Sequence, residues 1–316
     1  MKRAIVVGSE GQDGGILCER LRREGLAVVG IDRERGWDWG SSAPVSVDIM
    51  QAGEVETAVG RLAPEEIYYL AAYHRSAEDD PGEETEVFER SYAVHVGGLI
   101  HFLQAMRQRS RGSRLFYAAS SHIFGGSAPA PQEESTAFRP DCPYGITKAA
   151  GVECCRYFRR RHGLYATVGI LYNHESPRRG VSFVSQKIVR GAWNIKQGRQ
   201  DELVLGDLEA RIDWGYAGDT VEAMVRIVRH SEPDDFVVAT GETHTVREFV
   251  EIAFAQVGLD WREYVKEDRQ LLTKPSSTWV GNAAKLQRAT GWRPKVTFAE
   301  MVRLLVQAGE VNYRNA

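Results

Sequence analysis

The sequence predicts an α/β protein in which a doubly wound parallel sheet, covered by helices on both faces, is joined to a smaller mixed α/β lobe. Three observations carry this expectation. Short apolar runs alternate with longer amphipathic ones through about the first 120 residues, the signature of βαβ units. A glycine-rich turn joins the first apolar run to the first amphipathic one. After about residue 171 the alternation ends, and loops rich in Asn, Pro, Arg and Gly lead into shorter helical patterns.

In chain order, strands are expected over residues 4–7, 27–31, 66–70, 114–118 and 166–171. Their apolar content is nearly continuous, as in strands buried on both faces of a sheet. Helices are expected over residues 16–23, 52–62, 87–109 and 144–162, then over 246–257 and 298–308. The sheet domain is expected to span residues 1–171, with about 212–240 returning to it, while 172–211 and 241–316 form the smaller lobe. A cleft between the two is the expected ligand site.

The chain has 316 residues, and 40 Lys plus Arg against 43 Asp plus Glu leave a net charge of -3. No basic excess suggests nucleic acid, and no acidic excess suggests disorder. The first apolar run stops at Gly8, too short for the core of a signal peptide. No later stretch approaches the roughly 20 apolar residues that span a bilayer. Cys18, Cys142, Cys154 and Cys155 fit neither a disulfide framework nor a zinc spacing, which suggests a reduced, cytoplasmic compartment. His74, His95, His101 and His174 share no ligand spacing, so no metal is expected.

Residues Gly8, Gly11, Gln12, Asp13 and Gly14 lie between the first strand and the first helix. Glycines there allow a tight turn and close backbone approach to a pyrophosphate, with helix amides aimed at the anion. A Rossmann-like dinucleotide-binding fold follows. At the end of the second strand, Asp32 would accept bonds from ribose hydroxyls and repel a 2′-phosphate, favouring NAD. Arg33 and Arg35 follow at once and could hold a 2′-phosphate, which keeps NADP open.

The spacing Gly-x-x-Gly-x-x-Gly resembles the extended short-chain dehydrogenase/reductase family. That resemblance implies two further cofactor contacts: Asp48 and Ile49, after an expected third strand, and Leu70, Ala71 and Ala72 at the end of the next.

Tyr144 and Lys148 stand one helical turn apart and share a face. A neighbouring ammonium would draw the phenol from its usual value near 10 toward the working pH, making a base for a substrate hydroxyl. The lysine could also hold the nicotinamide ribose. Ser120, at the end of the strand over 114–118, can bridge the substrate oxygen to Tyr144. Alcohol–ketone interconversion is the expected chemistry.

Three stretches narrow the resemblance: residues 171–180, residues 183–188 and residues 205–215 are closely similar to GDP-mannose 4,6-dehydratases, and residues 239–250 continue the likeness. The resemblance implies that Ser121, Asn173, Lys187, Arg211 and Arg247 line a nucleotide-sugar site. Arginine suits the diphosphate, which it can pair bidentately.

One position departs from the pattern. The resemblance implies a glutamate that moves the C5 proton to the departing C6 hydroxyl; here that place is taken by His122. An imidazole with a pKa near 6.5 can serve as base and then as acid. Loss of water across C5–C6 is therefore the first expectation. A GDP-hexose or GDP-heptose 4-epimerase or C4 dehydrogenase without elimination is the second, and a non-catalytic nucleotide-sugar binder the third. The segment 274–277 is a second departure, at a place where the resemblance implies a contact to the nucleotide ribose. The helices over 87–109 and 144–162 are the elements through which the resemblance implies a homodimer or homotetramer.

Overall fold

The computed structural model describes residues 2–32, 47–74, 83–126, 128–271 and 279–314. In chain order its elements begin with β1 (Arg3–Val7), α1 (Gln12–Arg23), β2 (Ala27–Ile31), α2 (Ala52–Leu62), β3 (Glu66–Tyr69), α3 (Glu84–Tyr92) and α4 (Gly98–Arg109). Next come β4 (Arg114–Ser120), α5 (Pro143–His162), β5 (Tyr165–Leu171), β6 (Asn173–Glu175), α6 (Val184–Lys196), β7 (Leu203–Leu205), β8 (Arg211–Ile212) and β9 (Trp214–Tyr216). The chain continues through α7 (Ala217–Val228), β10 (Asp235–Val238), β11 (His244–Thr245), α8 (Val246–Gln256), β12 (Val265–Glu267), α9 (Ala284–Thr290) and α10 (Phe298–Arg314).

Six strands form one parallel sheet in the order β10-β5-β4-β3-β1-β2. The period-2 geometry of a strand sends alternate side chains to opposite faces. In β1, Ile5 and Val7 enter a core shared with Val55 of α2, Phe102 of α4 and Val152 of α5. Ala4 and Val6 enter the opposite core, with Leu17 of α1 and Met224 of α7. The doubly wound arrangement expected from the alternation is therefore present. The chain runs from β1 to β2 on one side and then to β3 on the other, so the crevice at the carboxyl ends of β1 and β3 is the switch point where ligands bind in such sheets.

A third core joins Ile188 of α6, Leu205 of β7, Phe249 and Phe254 of α8 and Leu305 of α10. Small strand pairs attach to it: β12 runs parallel to β7, β6 parallel to β9, and β11 antiparallel to β8. Buried Asp213 ties this region to the sheet's end, accepting bonds from the Thr240, Gly241 and Gly281 amides and the Thr240 hydroxyl. Ala283, Leu286 and Trp292 pack in the sheet-side core, although the expected boundary gives residues 241–316 to the smaller lobe. A boundary drawn on sequence follows chain order, whereas α9 returns to pack beside β10.

The helix expected over 87–109 is interrupted. A π-helical turn spans Ala93–Gly97 between α3 and α4. Such a turn loosens the regular carbonyl pairing, and two strand tyrosines meet it: the Tyr69 phenol donates to the Val94 carbonyl at 2.5 Å and the Tyr117 phenol to the His95 carbonyl at 3.3 Å. The third strand expected before Asp48, like Arg33 and Arg35, falls on residues 33–46, outside the described residues. Among the described residues, no helix is long and apolar enough to cross a membrane.

Candidate active site

The glycine turn after β1 is shaped by close approach. Gly8 has φ +86°, and a Cβ there would lie 2.9 Å from the Ala71 amide nitrogen. A Cβ on Gly14 would overlap the Gly8 carbonyl oxygen. Helix α1 starts with Gly11 as its N-cap, which offers no side chain to its first-turn amides. The Ser9 hydroxyl is buried without a hydrogen-bond partner among the described residues. A glycine cradle, an uncapped helix end and an orphaned hydroxyl together fit the pyrophosphate of a dinucleotide. Gly14→Ala is expected to abolish dinucleotide binding, read by titrating the protein's tryptophan fluorescence with NAD+ or NADP+, because the new methyl meets backbone that cannot move aside.

Asp32 accepts the Glu10 amide at 3.0 Å, so its carboxylate borders the turn. Ala71 and Leu70 line the other border, Leu70 donating to the Val7 carbonyl at 2.9 Å, and Ala72 is exposed. Asp48 serves α2: its side chain accepts the Met50 amide at 2.9 Å, while the Ile49 carbonyl faces His101 Nδ1 at 2.8 Å. Arg33 lies outside the described residues.

Gln12 and Asp13 reach across to the loop after β5. Gln12 Nε2 donates to the His174 carbonyl at 3.0 Å, and Ser176 Oγ donates to Gln12 Oε1 at 2.9 Å. His174 places Nδ1 2.7 Å from the Tyr172 carbonyl and Nε2 2.8 Å from Asp13 Oδ2. Burial resists ionisation of both, but their mutual attraction prevails, lowering the Asp13 carboxyl and raising the His174 imidazole from their ordinary values. Arg179 stands 3.6 Å over the Phe183 ring, and its charge acts on Asp13, Glu175 and Tyr144. Neither His174 nor Arg179 is among the residues that the resemblance places in the sugar site, although the sequence left Arg178 and Arg179 open as diphosphate partners or a solvated surface. The signal for them is their place in the run 171–180, where adjacent Arg178 pairs with Glu19 at the surface.

Ser120 ends β4, and its hydroxyl accepts the His122 amide at 3.3 Å, opening a 3-10 turn over Ser121–Phe124 in which Ser121 is buried. Pro143 at the first turn of α5 and Gly163 in left-handed conformation at its end delimit the helix that carries Tyr144 and Lys148. Burial pushes the Tyr144 phenol up to about 12, against the opposing pull of its hydrogen bond with Ser120 and of Arg179. That corrects the expectation of a phenol lowered by the lysine. The Lys148 ammonium donates to the Ala118 carbonyl at 2.7 Å and lies over the Tyr144 ring, 5.7 Å from its centre.

Burial lowers Lys148 to about 7 from 10.5. A depressed lysine means that the unfolded chain binds the extra proton between those two values, so this group's contribution to stability rises with pH across that window. Below about pH 7 the cost of the buried charge is fully present. Thermal melts of wild type and Lys148→Met should therefore show the wild type gaining on the variant from pH 7 toward pH 10. A constant difference would contradict the burial argument.

Three imidazoles surround the Tyr144 ring edge-to-face: His74 at 4.7 Å, His95 at 5.2 Å and His122 at 5.6 Å between centres. His74 stacks on Phe183. His95 is fully buried; its Nε2 accepts the Tyr73 amide at 3.0 Å, so Nδ1 carries the proton toward Thr147 Oγ1 at 2.8 Å. Burial first, and Lys148 second, hold it neutral by lowering its pKa to about 2. His122 packs against Trp279, with ring centres 4.4 Å apart.

The expected sugar-site residues are more dispersed. Asn173 opens β6 opposite Trp214, Lys187 is half-buried in the first turns of α6, and Arg211 is exposed at the start of β8. Arg247 pairs with Glu209 at 2.6 Å and lies over the Trp261 ring. Segment 274–277 lies outside the described residues.

With this geometry in view, the family described as GDP-mannose 4,6 dehydratase matches residues 5–305. The chain belongs to the GDP-mannose 4,6-dehydratase family. GDP-mannose 4,6 dehydratase 1 of Arabidopsis thaliana is 37% identical over 96% of this chain and 89% of its own length. GDP-mannose 4,6 dehydratase of Homo sapiens is 32% identical over 96% of this chain and 90% of its own. Among solved structures, UDP-glucose 4-epimerase of Thermus thermophilus in complex with NAD superposes with a TM-score of 0.80 at 26% identity, covering 98% of this chain and 99% of that one. RMD from Pseudomonas aeruginosa complexed with NADPH shares the fold, with a TM-score of 0.82 at 23% identity over 99% and 100% of the chains.

Proposed function

We propose that this member of the family is an NAD(P)-dependent GDP-mannose 4,6-dehydratase, with His122 carrying the elimination. The observation that carries the reading is the convergence of Ser120 and His122 on the Tyr144 phenol. Bound in the glycine cradle, the dinucleotide supplies a hydride acceptor for C4 and the hydride that later returns to C6. Ser120 orients the C4 hydroxyl, and Tyr144 takes its proton as the carbonyl forms. That carbonyl acidifies the C5 hydrogen. His122 takes the C5 proton and hands it to the C6 hydroxyl, which leaves as water; as the hydride reaches C6, the proton that Tyr144 took from the C4 hydroxyl passes by way of the imidazole to C5, so both groups end as they began. Lys148 lies buried below the phenol, where it can hold the nicotinamide ribose. Asn173, Lys187 and Arg211 are the proposed partners of the nucleotide sugar, with Ser121 behind the reacting carbons. Arg247 can join them once it releases Glu209.

The placement of Asp32 at the turn supports NAD, with NADP as the alternative. We also assign a cytoplasmic setting, on the cysteine usage, and a homodimer or homotetramer, on the family resemblance of the helical segments over 87–109 and 144–162. A second reading, a 4-epimerase or C4 dehydrogenase, draws on the imidazole standing where a glutamate is implied. One experiment separates the two: incubation with GDP-mannose and NAD+ or NADP+, followed by mass spectrometry of the sugar nucleotide. A product lighter by one water is expected. Unchanged mass with inverted C4 would establish the epimerase, and a bound dinucleotide that never turns over would indicate a non-catalytic binder.

A further inference from the structure

The sulfur of Cys142 lies against the ring to which the elimination is assigned. Cys142 is the N-cap of α5, in extended backbone, and its Sγ accepts the Gly145 amide at 3.4 Å. The same Sγ stands 3.9 Å from His122 Nδ1. Helix start and turn are pressed together: a Cβ on Gly145 would lie 2.5 Å from the His122 carbonyl oxygen. On the ring's other side Trp279 is anchored, its indole donating to the Gly125 carbonyl at 3.0 Å. An N-cap atom held by a helix amide cannot follow a rotating ring, so the sulfur is a fixed point against which the imidazole is set.

We infer that Cys142 is a positioning residue for His122, holding Nδ1 so that proton transfer runs through Nε2. Which ring nitrogen carries the proton is set by the hydrogen bond the other makes. A thiol sulfur is a weak acceptor; it orients the ring without stabilising imidazolium as a carboxylate would. Among the described residues, the titratable groups around the ring are Cys142 and Tyr144, with His74 and Lys148 beyond the phenol. Asp141 is turned away, accepting the Gly126 amide at 2.9 Å. The inference rests on the reading of His122 as the proton carrier.

Its test is the pH profile of water loss from GDP-mannose, taken beside that of C4 oxidation in the same proteins. Asp caps helices as well as Ser does, so Cys142→Asp keeps the fold while placing a carboxylate beside Nδ1. The acidic limb of water loss should move up by about one pH unit, with the limb of C4 oxidation unmoved. Cys142→Ser should keep the wild-type profile, and Cys142→Ala should slow water loss about tenfold while sparing C4 oxidation. An unmoved limb in Cys142→Asp, in a protein whose His122→Ala variant has lost dehydration, overturns the role of Cys142 and leaves that of His122 standing. A limb that moves equally for both steps reports Tyr144 and also overturns it. Full dehydration by His122→Ala removes the underlying reading and this inference with it.

Discussion

Replacing His122 with alanine is expected to slow loss of water from GDP-mannose by about 10²- to 10⁴-fold, the usual worth of a positioned acid or base. C4 oxidation should survive, because Ser120 and Tyr144 meet without the imidazole. The two steps separate experimentally: reduced dinucleotide would accumulate by absorbance while the dehydrated product disappears by mass. His122→Glu should restore part of the activity, with the acidic limb of the profile moved down, since a carboxyl stays deprotonated to lower pH than an imidazole. Undiminished dehydration in His122→Ala would falsify the assignment.

Tyr144→Phe is expected to stop both steps. The ring and its three edge-to-face imidazole contacts remain possible, so the loss falls on the phenol oxygen alone. A reduction of about 10²- to 10⁴-fold in C4 oxidation is expected with dinucleotide affinity unchanged. The sign of the pH dependence follows from burial. A phenol raised to about 12 must give up its proton to act as base, so C4 oxidation in the wild type should rise with pH above neutrality. In Tyr144→Phe that rise should vanish. Stopped-flow measurement of the first turnover between pH 7 and pH 10 reads both, and a rise that persists in the variant would place the base elsewhere.

Much of the cofactor half was legible because its signals are local. The strand over residues 4–7, the glycine turn and the helix behind it follow one another in the chain, and each requires the next. The helix bearing Tyr144 and Lys148 is bounded by Pro143 and Gly163, residues that mark helix ends by their own backbone preference. The break at Ala93–Gly97 was not legible, because a π-helical turn leaves the apolar rhythm of a long amphipathic helix nearly intact. Tyr69 and Tyr117, which meet its carbonyls, lie on separate strands. The direction of the Tyr144 shift was misread for a related reason: one-turn spacing places Lys148 on the same face, but its ammonium is drawn to the Ala118 carbonyl and burial governs the phenol.

The sequence by itself determined the α/β class, the parallel sheet, the dinucleotide turn and the residue types of the reacting site, since these rest on periodicity, backbone preference and short spacings. Only the tertiary structure decided which of those residues meet. Asp13 joins His174 across 161 positions, and His122 and Cys142 face each other from a strand-end turn and a helix cap. Three histidines from separate segments enclose one phenol. Contacts of that kind depend on how helices and strands pack, where burial sets the protonation of each group, and no local pattern in the chain encodes them.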